Sequence, residues 1–163
     1  MQLEHPVIKL IPLFGKMSSG SRLTLGLLKD IYPEKGRYDE YISGHETRIS
    51  IFKDHILGRR WFAIENGAKE IVGGIAIWPE KNDGWVGRLY IPDKFRNQGY
   101  ASAAISELER HAKNLGIKTL HAFIGHGNEP SITTFKKAGF NVNEKLHHRA
   151  EGKGVIFSRI LKH

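Results

Sequence analysis

The sequence predicts a single mixed α/β domain, a twisted central sheet with helices on both faces. Three observations lead there. Strand-like and helix-like runs alternate along 163 residues, a length that suits one domain with a single core. Two apolar runs flank Asn66-Gly67, a strong hairpin signal. A third run, Trp85 to Ile91, leads through a Gly-containing turn into a long helical stripe, an order typical of a ligand-binding turn in an α/β sheet.

Taken in order, Val7 to Leu13 alternates loosely between apolar and polar positions and reads as a first strand. Met17 to Ser21 is a turn whose serines can cap the next helix. Leu23, Leu27, Leu28 and Ile31 share one helical face, and Pro33 stops that run. Tyr38, Tyr41, Ile42, Ile49, Phe52 and Ile56 mark a second amphipathic helix, closed by Gly58. Trp61 to Glu65 and Glu70 to Trp78 are the strands of the hairpin, and Asn82-Asp83-Gly84 turns into the strand that starts at Trp85.

Ala101, Ala104, Ile105, Leu108, Ala112 and Leu115 then trace a helical stripe, with Gly116 at its C′ position. Lys118 to Gly125 alternates at period two, with Leu120, Ala122 and Ile124 on one face and Thr119, His121 and Phe123 on the other. Asn128 is a good N-cap for a short helix, Pro130 suits its first turn, and Gly139 ends it. Val142 to Ala150 and Val155 to Leu161 are expected as a closing hairpin around Glu151-Gly152-Lys153-Gly154. No repeat or linker interrupts the chain, so residues 1–163 are read as one domain.

Composition narrows the function classes. Hydrophobic content of 40% and charged content of 26% are ordinary for a soluble globular protein. No apolar run approaches the ~20 residues that span a bilayer, and the first residues have no basic region followed by an apolar core, so neither membrane insertion nor a signal peptide is expected. The chain has no cysteine, which removes disulfides, thiolate metal sites and a cysteine nucleophile, and fits a reducing cytoplasm. The net charge of +8 suits a polyanionic ligand. It also keeps a nucleic-acid partner open, although no basic block or aromatic stacking motif supports one. The nine histidines show no metal-ligand spacing, and no metal is expected.

The turn Arg96-Asn97-Gln98-Gly99-Tyr100-Ala101 carries the chemistry. Gly99 admits a ligand close to the backbone, and the first N–H groups of the following helix lack internal partners. Strand, Gly turn and helix start together make a cradle for phosphate oxygens.

These residues resemble the pyrophosphate motif Gln/Arg-x-x-Gly-x-Gly/Ala of the GNAT superfamily of acetyl-CoA-dependent N-acetyltransferases, met here by Arg96, Gly99 and Ala101. Leu89-Tyr90-Ile91-Pro92-Asp93 is similar to the family's fourth strand and the loop after it. Asn128-Glu129-Pro130-Ser131 and Phe135-Lys136-Lys137-Ala138-Gly139-Phe140 resemble its second conserved block. The specific likeness runs from about Trp85 to Phe140.

The resemblance implies the GNAT fold, a mostly antiparallel sheet whose fourth and fifth strands splay apart to admit the cofactor. It places the pyrophosphate of acetyl-CoA on the amides from Asn97 through Gln98, Gly99, Tyr100 and Ala101 to Ser102, with Arg96 beside them. It lays the pantetheine arm along Leu89, Tyr90 and Ile91, and brings Asn128, Ser131 and Phe135 to the same ligand. It further implies acetyl transfer to a primary amine by direct attack in a ternary complex. With no cysteine, an acyl-cysteine intermediate is impossible, which favours that route.

Proton handling departs from the family pattern. Many relatives have a general-acid Tyr in the block aligned with Phe135, and a Glu base at positions that align with Trp85 and Phe123. An alkyl ammonium with a pKa near ~10.4 is free amine only about once in two thousand at neutral pH, so some assistance is expected. His126, in the loop after the fifth strand, and His121, on the face of Phe123, are the candidate bases. An exposed loop histidine and a packed one are the plain alternatives. Asp83 and Glu80 could reach an ordered water, and Tyr90 or Tyr100 could donate to sulfur.

A small amine, amino-acid-like or polyamine, is the expected acceptor, with a protein or nucleic-acid-bound amine as the alternative. A third possibility is an acyl-CoA-binding module with little or no transferase activity. A homodimer stays open.

Overall fold

The computed structural model describes residues 6–13 and 54–162. The helix expected over Leu23 to Ile31, and most of the one from Tyr38 to Ile56, lie outside the described residues. Strands β1 (Ile8–Pro12), β2 (Arg60–Asn66), β3 (Ile71–Glu80), β4 (Asp83–Tyr90), β5 (Thr119–Gly125), β6 (Asn141–Val142) and β7 (Gly154–Ile160) form one sheet in the order β1-β2-β3-β4-β5-β7-β6. All neighbours are antiparallel except β4 and β5. That parallel pair is joined through helix α1 (Tyr100–Asn114), the connection parallel strands require. Helix α2 (Glu129–Lys137) joins β5 to β6.

The alternation of side chains across each strand builds two apolar clusters. Ile64, Val72, Ile75, Ile77, Val86, Leu120, Ala122 and Phe157 pack against Ala104, Ile105 and Leu108 of α1 and Phe135 of α2. On the other face Leu13, Trp61, Ala63 and Ala76 pack with Trp78 and Tyr90. The predicted facing of β5 holds, with Leu120, Ala122 and Ile124 toward the helices.

Helix ends follow one rule at three places. Gly58, Gly116 and Gly139 have φ of 80°, 75° and 80°, and each donates its N–H to the carbonyl three residues back. The next residue donates five residues back, as Arg59 to Asp54, Ile117 to Ala112 and Phe140 to Phe135. These paired bonds satisfy carbonyls that a helix end leaves open. At α2 the two residues of the longer bond also stack edge to face, Phe135 on Phe140 with centroids 5.1 Å apart. Phe135 is therefore a helix-terminating core residue as well as a wall of the site described below.

One expected strand is different. Only Asn141–Val142 pairs with β7, and Glu144–Ala150 forms a 3-10 helix. After β6 the Leu146 N–H donates to the Asn143 carbonyl, an i to i−3 bond that turns the backbone out of the ladder into the 3-10 helix. The same difference changes the setting of His147 and His148, which are exposed on that turn.

Candidate active site

Strands β4 and β5 pair only at their beginnings, from Asp83↔Thr119 to Val86↔Ala122. Beyond those residues β4 continues to Tyr90 and β5 to Gly125 with no pairing between them. Two local features drive the separation. Opposite Gly74 and Ala76 of β3, β4 runs from Tyr90 to Gly87, one residue more than its partner. The resulting bulge puts Arg88 at φ 54°, and such bulges bend and twist a strand away from its neighbours. Meanwhile β5 stays paired with β7 along its whole length, Thr119↔Ile160 to Gly125↔Gly154.

A cleft of about 2080 Å³ runs through this gap, from the start of α1 to the indoles of Trp78 and Trp85. Every residue assigned from the sequence to the cofactor lines it: Leu89, Tyr90, Ile91, Arg96, Asn97, Gln98, Gly99, Tyr100, Ala101, Ser102, Asn128, Ser131 and Phe135. The two histidines do not. His126 is exposed in the loop after β5, its N–H donating to the Lys153 carbonyl, and His121 is buried beneath the wall.

At one end the turn before α1 has the backbone an anion needs. Asn97 and Gly99 take φ of 60° and 83°, and Gly99 is the N-cap of α1, its carbonyl accepting from the Ala103 N–H. The opening N–H groups of α1 thus line the cleft rather than meeting a side-chain cap. A Cβ on Gly99 would sit 3.0 Å from Pro6 Cδ. Arg96 holds the turn itself: its Nε donates to the Ile91 carbonyl at 2.9 Å, and its guanidinium pairs with Asp93 at 2.6 Å. Tyr100 packs beside Phe95 and accepts from Asn66. Asn128 caps α2, accepting from the Ser131 N–H at 3.3 Å.

At the other end the wall is aromatic. Trp78 lies over Gly87, where a Cβ would come within 2.3 Å of the indole. Trp85 donates from its indole N–H to Glu80 Oε2 at 2.8 Å, and the Arg149 guanidinium stands 4.7 Å from its ring centroid. That indole bond, and the charge of Arg149 after it, hold the Glu80 carboxyl below its ordinary pKa. Behind Trp85, 4.9 Å between centroids, lies His121. Its Nε2 faces Asp83 Oδ2 at 3.5 Å, while Nδ1 is 2.6 Å from Ser158 Oγ, which also accepts from Asn143 at 2.8 Å. With the imidazole proton on Nε2, Ser158 donates to Nδ1; with it on Nδ1, the ring donates to Ser158 Oγ.

Sequence reasoning missed Arg149, Arg59, Arg88 and Trp78, which line the same cleft. Arg149 arrives through the 3-10 turn that was expected as a strand. Arg88 owes its place to a bulge, and register shifts of that kind leave little trace in composition.

Residues 27–140 match the Acetyltransferase (GNAT) family, and the chain belongs to that family. YwnH of Bacillus subtilis (strain 168), which bears the provisional name phosphinothricin acetyltransferase, is 33% identical over 104 residues. That match covers 58% of this chain and 61% of YwnH. Among solved structures, spermidine N-acetyltransferase from Vibrio cholerae in complex with CoA and spermine superposes with a TM-score of 0.72 at 12% identity, over 94% of this chain and 95% of that one. A GNAT acetyltransferase from Elizabethkingia anophelis with acetyl-CoA bound gives 0.63 at 15%, over 94% and 98%. These two likenesses show the fold: a GNAT sheet with helices around it.

Proposed function

We propose that this chain transfers an acetyl group from acetyl-CoA to a primary amine of a small molecule, by direct attack in a ternary complex. The observation that carries the reading is the continuity of one cleft, from the open amides before α1 through the gap between β4 and β5 to an aromatic wall. A diphosphate on the amides and a thioester in the gap would bring the acetyl carbon to an acceptor beside Trp85. The amine nitrogen bonds to that carbon, the C–S bond breaks, the sulfur leaves with the electron pair and takes a proton, and the amine gives one up. YwnH's name and the spermidine enzyme's title support a small acceptor, and the Gly99 turn supports the cosubstrate.

This chain's own contribution is positioning and backbone polarisation, since the family resemblance aligns Trp85, Phe123 and Phe135 with the ionisable groups of many relatives. Missing general acid–base help costs about 10²–10⁴ in rate, so turnover should be slow. Those same three residues favour a second reading, an acyl-CoA binder without transfer. A thiol-release assay over amino acids, polyamines, aminoglycosides and lysine peptides separates the two: transfer releases acceptor-dependent thiol, whereas a binder gains stability with acetyl-CoA and releases none.

A further inference from the structure

The acceptor end of the cleft carries an opposite-charge pair that does little for itself. Both terminal nitrogens of Arg149 lie 3.5 Å from a single oxygen, Glu80 Oε2, longer than the 2.7–2.9 Å typical of a charge-assisted bond. The two side chains are 45% and 53% exposed, and exposed pairs of that geometry contribute little to stability. The Glu80 oxygen is already engaged by the Trp85 indole at 2.8 Å. Arg149, by contrast, is oriented: its guanidinium stands over the Trp85 ring, which keeps the planar fork in register beside the cleft that it lines.

Trp85 immediately precedes Val86, the last residue of β4 paired with β5. A group held by Arg149 is therefore one indole away from the point where the strands part and the amine must react. We propose that Arg149 is a specificity-determining residue that takes the anionic group of the acceptor, making the substrate a small amine that also carries a carboxylate or similar anion. The proposal rests on the transferase reading above and narrows its substrate class. Arg59 lines the same cleft with its guanidinium 6.0 Å from the Trp78 ring centroid, but it is paired with Asp54 at 2.5 Å, which leaves Arg149 to carry the bias. A polyamine has only cations to offer the Arg149 guanidinium. An amino-acid-like molecule brings the anion that a forked donor fits, while Glu80 stays close enough to discourage a dianion.

The test uses binding rather than turnover. Protein saturated with coenzyme A is titrated calorimetrically with α-amino acids, their carboxamides, and spermidine. The expected result is at least tenfold tighter binding of the acids than of their amides. Arg149→Leu should abolish that preference with the coenzyme A Kd unchanged, and Arg149→Lys should restore part of it. Equal affinity for acids and amides, tighter binding of spermidine, no binding of any acid, or a preference that survives Arg149→Leu would each overturn the proposal. The coenzyme A titration that precedes it reports separately on the cosubstrate cleft, and acceptor-dependent thiol release reports on transfer, so failure of this proposal and failure of the transferase reading are distinguishable.

Discussion

His121 and Ser158 meet across the β5–β7 ladder, Nδ1 to Oγ at 2.6 Å, with His121 only 5% exposed. Asn143 donates to the same hydroxyl, and Asp83 faces the other ring nitrogen. These contacts back the Trp85 indole, whose ring centroid lies 4.9 Å from that of His121. Ser158→Ala leaves a buried ring nitrogen and an amide without their partner, which costs about 1–3 kcal/mol. At roughly 2–4 °C per kcal/mol for a domain of this size, thermal melts should drop by several degrees. Acetyl-CoA affinity should stay the same, because neither residue lines the cleft. An unchanged melting temperature would show that the network contributes nothing.

Gly73 of β3 has no room for a side chain. A Cβ there would lie 2.3 Å from the Tyr90 carbonyl oxygen and 2.7 Å from Ile91 Cδ1. The contact is mostly to backbone, so it cannot be relieved by a rotamer change. Gly73→Ala should push β4 away where the cofactor arm is proposed to run, with a stability loss of about 1–3 kcal/mol and weaker acetyl-CoA binding. Denaturant titration and calorimetry on the same sample would check both. Stability and affinity that match the parent chain would contradict the packing described.

His111 supplies a pH dependence. Burial, and then the nearby charges of Arg60 and Arg110, lower its pKa from the ordinary 6.5, and its ring packs edge to face on Phe62 at 4.9 Å. With a depressed folded value, the unfolded chain binds the proton first. This stabilising contribution is thus complete above about pH 6.5 and is lost as pH falls below it, through the folded value. Melts at pH 7.5 and 5.5 should show a smaller acid-induced drop for His111→Leu than for the parent. Parallel drops would assign the acid sensitivity to other groups.

Much of this was legible in the residues, and the reasons are local. Gly58, Gly116 and Gly139 end helices because only a residue without Cβ takes those φ values cheaply. Asn128 reads as a cap because its short amide reaches the Ser131 N–H. The strand, turn and helix around Gly99 are contiguous in sequence, so a motif captures them. What stayed hidden depends on distant partners. The splay is a matter of how far β4 pairs with β5 across a helix, and the bulge at Arg88 is a matter of register against β3. Arg149 reaches Trp85 from 64 positions away, through a 3-10 turn whose i to i−3 bonds alternation along the sequence does not announce.

The account stands on the amides before α1, and one titration tests them most directly. Acetyl-CoA should bind one equivalent per chain of the parent protein with measurable heat. Gly99→Asp, which adds a negative charge and a side chain at φ 83° beside Pro6, should weaken that binding at least tenfold. Heat that is absent from the parent at any accessible concentration, or unchanged in the variant, would contradict the claim that this turn grips the cosubstrate.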